Sequence, residues 1–599
     1  MANKTININV PVLARVEGEG ALDLEIKNDQ ITDLKLRIYE PPRFFEQFLL
    51  ERSYQDVPDT VARICGICPV AYQMSAVHAI ESIFNVQVTP WVRAMRRVMY
   101  CGEWLQSHSL HIHMLAAPDF LGFNSILEMS KDYSKEVNRG LSLQTLGNDL
   151  ISLFGARSVH PVGVRTGGFY HAPSQKTVDA IRKRLEAAQF ETEELVRWTA
   201  SLDLPDDQQQ FTSVSLRHPH EYPLNEGRIV SDAGHNPSLD IDISEYDNHF
   251  VEQHISHSTA LHSLLDGKPY LVGPLARLNL NIDKLPASVQ SIIESSGIRF
   301  PSNNMFHSIV ARAIEANYVV SEALQLLNHY KKPDFPYVEY QPKNGIGFGC
   351  TEAPRGLLWH RYELDSQGKV SQARIVPPTS QNQARIEQDL RQSLITLGLN
   401  QKEQTLRLHA EKVIRNYDPC ISCATHFLRL DIKHYQEKEE TINPKDVQQN
   451  NAAPRIKIIG VGSQHGNDKL GFEALQLLKE DKQLSSYANV NYVSITSPGT
   501  QLIDALKETD YAIIIDAIAI HDEPGKLLKL NANEITTLNP TLSSHGLGVI
   551  ESIKLGQALK QIPQNIVLMG LNTDGNSDWT YNETQLQELI NEVRQLIIL

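Results

Sequence analysis

At 599 residues the chain exceeds what one hydrophobic core ordinarily organises, so two or more domains are expected. Apolar residues make up 41% and charged residues 21%, with no run long enough to span a membrane and no basic n-region followed by an apolar stretch near the start. That composition points to a globular, cytoplasmic protein without direct membrane insertion, and the formal net charge of -15 argues against nucleic acid as a partner, because binding a polyanion needs a basic footprint.

In chain order, residues 1–430 read as a mainly helical (α+β) domain. It opens on a small sheet, since NKTININVPV and GALDLEIK alternate apolar and polar residues. Helical periodicity follows in WVRAMRRVMYCGEWLQSHSLHIHML, TVDAIRKRLEAAQFETEELVRWTASL and MFHSIVARAIEANYVVSEALQLLNHY. Residues 431–454 are polar and charged with almost nothing to bury, and read as a linker. Residues 455–599 alternate strand-like runs (IKIIGVG, NVNYVSI, YAIIIDA, NIVLMGL) with helical stretches, the pattern of a three-layer α/β domain.

Six cysteines are too few for a disulfide scaffold in so long a chain, and four of them form two C-x-x-C pairs, Cys65/Cys68 and Cys420/Cys423. Cys101 and Cys350 stand alone and read as small buried hydrophobes. Pro69 suits the first turn of a helix whose Val70, Met74 and Val77 share a face, which puts Cys68 at a helix N-terminus, where free N–H groups stabilise a thiolate. The second pair follows a helix that Pro419 should stop. Four thiolates could hold zinc or an iron-sulfur cluster, or act as redox thiols. About 350 residues separate the pairs, which suits a centre tying the two ends of a domain together better than a local structural zinc site.

The residues around the cysteines narrow this choice. R-x-C-G-x-C near the start and D-P-C-x-x-C-x-x-H near the end resemble the paired motifs of nickel-iron hydrogenase large subunits. The resemblance extends through RVEGEG (Arg15 to Gly20), PPRFFE ending in Glu46, HPVGVRTGGF from His160 and EAPRG from Glu352. It implies a Ni-Fe centre with Cys65 and Cys420 terminal on nickel, Cys68 and Cys423 bridging to iron, and carbon monoxide and cyanide ligands on the iron. Soft thiolates suit both metals. It further implies that Cys420 takes the proton from split dihydrogen, Glu17 relays it outward, and Arg355 lies over the open metal position with Asp119 and Asp418 as candidates to hold it. Thr379 would donate a hydrogen bond beside the diatomic ligands, and Glu46 and His426 would bind magnesium or a similar divalent ion.

His108, His111 and His113 read as packing or relay residues, not ligands. Tyr72 stands where the family often has histidine, which bears on the hydrogen bonding around the centre. The wording RICGICPVAY and EPPRFFE is similar to that of cytoplasmic, cofactor-coupled members, and implies as partners a small subunit with iron-sulfur clusters, diaphorase subunits and maturation chaperones.

Beyond the linker, GVGSQHGNDKLGFEAL, IIIDAI and SSHGLG resemble, in order, segments of hydrogenase maturation proteases. Asp468, Asp516 and His545 fall at that family's metal-sensing positions and imply a transient nickel site, although Asn467 replaces the first aspartate of the usual pair. Such proteases cut just after the histidine of the second cysteine motif, here His426. Two rival readings are a dihydrogen sensor that does not turn over, and an unprocessed precursor whose C-terminal domain is an inactive docking module.

Overall fold

The computed structural model describes residues 5–232, 238–425, 455–462, 470–481, 483–484, 487, 489–495, 499–506, 509–518, 527–531, 534, 549–558, 562–563, 565–572 and 583–598. The chain divides into two compact units, the first carried by residues 1–129 and 135–431, the second by residues 130–134 and 432–599.

The first unit begins with an antiparallel meander of Thr5–Val10, Gly20–Lys27 and Gln30–Ile38. The first two strands are those the alternation predicts; the third was not separated from its surroundings in the sequence. In register, Ile8 lies opposite Leu24 and Leu24 opposite Leu34, so alternate residues present one apolar face. That face packs on Leu390 and Leu394 of helix Pro378–Leu397 and on Val413 and Ile414 of helix Glu403–Asn416. Burial of one core thus joins the start of this unit to its end.

Helix Pro69–Phe84 starts with Pro at its first position, as expected, and is buried almost all round. Strand Gly345–Ala353 lies so close to it that a Cβ on Gly349 would sit 1.9 Å from the Ser75 carbonyl oxygen. This strand forms a second meander with Gly356–Leu364 and Val370–Val376. Helix Pro90–Leu110, capped by the Thr89 hydroxyl at Val92 N, runs on into a π-helical turn, His111–Ala116. Helix Ser308–Asn328 packs against it and against helix Gln175–Ala200. Among the described residues no helix is long and apolar enough to cross a membrane.

The second unit holds a five-stranded sheet in the order Val490–Ile495, Ile456–Val461, Tyr511–Ile518, Asn565–Asn572, Leu527–Asn531. The first four are parallel and are the strands expected from the sequence; the last is an antiparallel edge. Alternate residues serve two cores. Ile458 and Ile513 pack with Leu475 and Val593 on one face, while Ile459 and Ile514 pack with Leu502 and Ile553 on the other. Helices on both faces make this a three-layer α/β domain.

Candidate metal centre

Cys65 and Cys68 lie in the turn leading into helix Pro69–Phe84, where the amides of Ile67 and Cys68 both donate to Cys65 Sγ at 3.3 Å. Cys420 and Cys423 lie just after helix Glu403–Asn416, which ends before Pro419 as expected. There Asp418 takes a left-handed φ of 57° and turns the chain into the short 3-10 helix Ile421–Ala424. The four thiols converge: Cys65 to Cys420 is 3.4 Å, Cys68 to Cys423 3.6 Å and Cys420 to Cys423 2.8 Å. All are free, none is more than 3% exposed, and all four sulfurs lie within 4.8 Å of one another. Four buried soft donors crowded this closely call for a cation between them, and nickel and iron fit the donor set.

Negative charge settles first on Cys65. Burial opposes it, but hydrogen bonds with Cys420, Cys423 and Cys68 and the charge of Arg355 bring its pKa well down. Cys68 is pushed up, with burial the leading cause. The amides at this helix end go to Glu103, which the sequence reading did not single out. Its carboxylate accepts from Val70 N at 2.6 Å and Ala71 N at 3.1 Å, taking the helix-end amides that Cys68 would have used. The one trace of this in the sequence is an acidic residue inside the apolar stretch VMYCGEWL, with no basic partner one turn away.

Glu17 reaches the centre from the loop between the first two strands. Its carbonyl accepts from Ile421 N at 3.0 Å and its side chain from Ser422 N at 3.1 Å, beside Cys420. Gly18 permits this approach, with φ +88° and a Cβ position that would lie 2.7 Å from Ile421 Cβ. Burial and then the negative charge of Cys65 raise the Glu17 pKa to about 7. Thr379, at the start of helix Pro378–Leu397, accepts from Cys420 N at 3.1 Å.

Arg355 sits in the turn between strands Gly345–Ala353 and Gly356–Leu364, 3% exposed. It donates from Nε to the Asp418 carbonyl at 2.7 Å and from Nη2 to the Asp418 carboxylate at 2.8 Å. Asp119 does not hold it. Instead Asp119 binds Arg415 through both oxygens, at 2.7 and 3.0 Å, and Arg15 at 2.5 Å, because two guanidiniums already saturate its carboxylate. Arg415, its partner, stands three residues before the Asp418 that holds Arg355.

Behind Arg355, the buried Arg277 donates to the carbonyls of Ala353 and Pro354 at 2.9 Å each and pairs with Glu315 and Glu352 at 2.7 and 3.0 Å. His108 binds Glu315 at 2.9 Å, His111 binds the Arg415 carbonyl at 2.8 Å, and His113 stacks on Trp198. These histidines pack and brace. Tyr72 is fully buried, and burial followed by the charges of Cys423 and Cys68 keeps its phenol protonated. Cys101 and Cys350 are buried away from the centre, as small hydrophobes should be.

Glu46, in helix Phe45–Leu49, accepts from Ile375 N at 2.8 Å, and burial pushes its pKa to about 8. Its expected partner His426 lies outside the described residues, as do Asp468 and His545. Asp516 is half-buried on strand Tyr511–Ile518, opposite Gly570.

A profile of the nickel-dependent hydrogenase family matches residues 43–150 and 231–426, and one of the hydrogenase maturation protease family matches residues 474–598. Sulfhydrogenase 1 subunit alpha of Pyrococcus furiosus is 31% identical over 439 residues, covering 72% of this chain and all of that protein. The NAD-reducing hydrogenase HoxS subunit beta of Cupriavidus necator is 26% identical, over 69% of this chain and 94% of that protein. Among solved structures, an NAD+-reducing [NiFe]-hydrogenase in the H2-reduced state superposes with a TM-score of 0.64 at 26% identity, covering 70% of this chain and 99% of that one. The sulfur cluster, the acid beside it and these likenesses converge: the chain belongs to the nickel-dependent hydrogenases, as a catalytic large subunit fused to a hydrogenase maturation protease domain.

Proposed function

We propose that Cys65, Cys68, Cys420 and Cys423 hold a nickel-iron pair at which dihydrogen is reversibly split into protons and electrons, with Cys420 and Glu17 carrying the proton. What supports this reading is the convergence of a half-buried carboxylate and a buried guanidinium on four clustered sulfurs. The metal pair, its iron bearing carbon monoxide and cyanide, supplies an electrophile for the electron pair of the H–H bond. The chain's own residues do the rest. Cys420 Sγ accepts the proton, Glu17 takes it from there towards the surface, and Arg355, aimed by Asp418, keeps a fixed positive charge in a dry site where it acts strongly. Asp119 positions the Arg415 helix, and Thr379 fixes the Cys420 amide while its hydroxyl proton serves the iron's ligands. Glu46 and His426 bind a magnesium ion that ties down the end of the hydrogenase unit.

The electrons need a separate carrier, since four of the six cysteines are in the centre and the other two are isolated. A small subunit with iron-sulfur clusters fills that role, maturation chaperones load the centre in the cytoplasm, and the NAD-reducing relatives favour diaphorase partners. A dihydrogen sensor is not favoured by the likeness to named hydrogenases, and dye reduction under hydrogen separates enzyme from sensor. The fused domain acts on the chain that carries it, cutting after His426, with Asp468, Asp516 and His545 sensing nickel.

The test is metal analysis alongside hydrogen uptake in Cys65→Ser and Cys423→Ser. Each variant should lose bound nickel and all activity. Wild-type nickel content with normal uptake in either one would dismiss the assignment.

A further inference from the structure

A second group of ligating side chains lies outside the sulfur cluster. His257 stands in the loop before strand His262–Leu265, His262 opens that strand, and Glu387 projects from helix Pro378–Leu397. One ligand atom of each lies within 4.8 Å of the others. His257 Nε2 is 2.8 Å from Glu387 Oε1, and the two imidazole rings meet edge to face at 6.0 Å. Leu36 N donates to the same carboxylate at 2.9 Å and fixes its orientation, as hydrogen bonds behind metal ligands do.

We propose that His257, His262 and Glu387 form a structural site for zinc, clipping strand His262–Leu265 and the loop before it to helix Pro378–Leu397.

The His257–Glu387 hydrogen bond explains two of the three side chains without a metal, but not the third. His262 is only 4% exposed, and its Nε2 has no hydrogen-bond partner. An unsatisfied buried polar atom is destabilising, and coordination would remove that cost. Burial also lowers the His262 pKa to about 4, so at neutral pH the ring is in the neutral form that ligates. Two imidazoles and one carboxylate make a borderline donor set that suits zinc, and leave a fourth position for water. The side chains of His257 and Glu387 are 16% and 20% exposed, so an ion can enter from solvent.

The helix that carries Glu387 also carries Thr379, which receives the Cys420 amide. Eight residues of helix, about 12 Å, separate the two positions. The clip therefore braces the element that positions one cysteine of the sulfur centre.

Tag-free holoenzyme, as purified, would be stripped of exchangeable ions with a chelator, re-equilibrated with zinc alone, and assayed for zinc and nickel together. The wild type should retain about one zinc per chain. His262→Gln and Glu387→Gln should bind it at least tenfold more weakly with nickel content unchanged. X-ray absorption at the zinc edge of the wild type reads the ligands directly and does not depend on either variant folding. Nitrogen and oxygen neighbours at about 2.0–2.2 Å are expected. A sulfur shell near 2.3 Å would place the zinc on the cysteines and overturn the proposal. So would a wild type that keeps no zinc, or undiminished zinc binding in His262→Gln.

Discussion

Glu17 shows how much one residue's role depends on where distant chain segments meet. Its motif RVEGEG marks it in the sequence, yet an acidic residue between two strands is ordinarily a solvated loop residue. Burial of the first sheet against helix Glu403–Asn416 carries it to the cysteine pair, where it is half-buried and hydrogen-bonded to Ser422 N. Glu17→Gln keeps the size and the acceptor oxygen but cannot pass a proton. It should retain nickel and iron while losing hydrogen-deuterium exchange by about a hundredfold or more. Exchange at the wild-type rate in a metal-replete variant would remove Glu17 from the proton path. Glu103 is the opposite case: no motif marks it, because its partners Val70 and Ala71 are backbone amides on another helix.

At the level of elements, the turn that presents Arg355 is braced by buried ion pairs from three separate segments. Arg277 comes from helix Pro274–Asn281, Glu315 from helix Ser308–Asn328 and Glu352 from strand Gly345–Ala353. Burial works to raise the Glu315 pKa, but the Arg277 charge and hydrogen bonds with Arg277 and His108 bring it down to about 2. A carboxyl held below its unfolded value of 4.5 contributes stability above that pH and loses it as pH falls through 4.5 towards 2. The shift corresponds to about 3 kcal/mol, and leaving Arg277 short of one partner costs a similar amount. Glu315→Gln should therefore lower the unfolding midpoint of the hydrogenase unit near neutral pH. The gap from wild type, followed by calorimetry, should shrink to less than half by about pH 3. A gap independent of pH would mean that the glutamate acts by shape and not by charge.

For the whole molecule, the notable fact is that a maturation protease and a hydrogenase share one chain. Read from its composition alone, the polar stretch Phe427 to Ala453 is a linker, and a coil of about 27 residues would span roughly 30 Å. A tether of that length would give protease and cleavage site an effective concentration on the order of millimolar, the motive for expecting the cut to need no diffusing partner. We predict nickel-triggered cutting after His426 in a host that lacks other maturation proteases but supplies the iron's ligands, followed by intact mass after nickel addition. Asp516→Ala and His545→Ala should stay full length, and so should a chain lacking any of the four centre cysteines. Cleavage that persists in Asp516→Ala would assign the cut to another enzyme. A full-length chain with full hydrogen activity would show that the fusion works without processing.

Local chemistry was enough to read several features from the sequence: the C-x-x-C pairs, the Pro69 helix start, the helix stop before Pro419, and the four parallel strands with helices between them. Each depends on residues near one another in the chain, where periodicity, proline geometry and ligand spacing act directly. The tertiary structure decided what depends on contacts across hundreds of residues. Glu103 and not Cys68 takes the helix-end amides, Asp418 and not Asp119 holds Arg355, and His257, His262 and Glu387 come together although no spacing rule relates them. Those partners are chosen by which apolar faces bury against one another, and a charged or ligating side chain goes where that packing carries it.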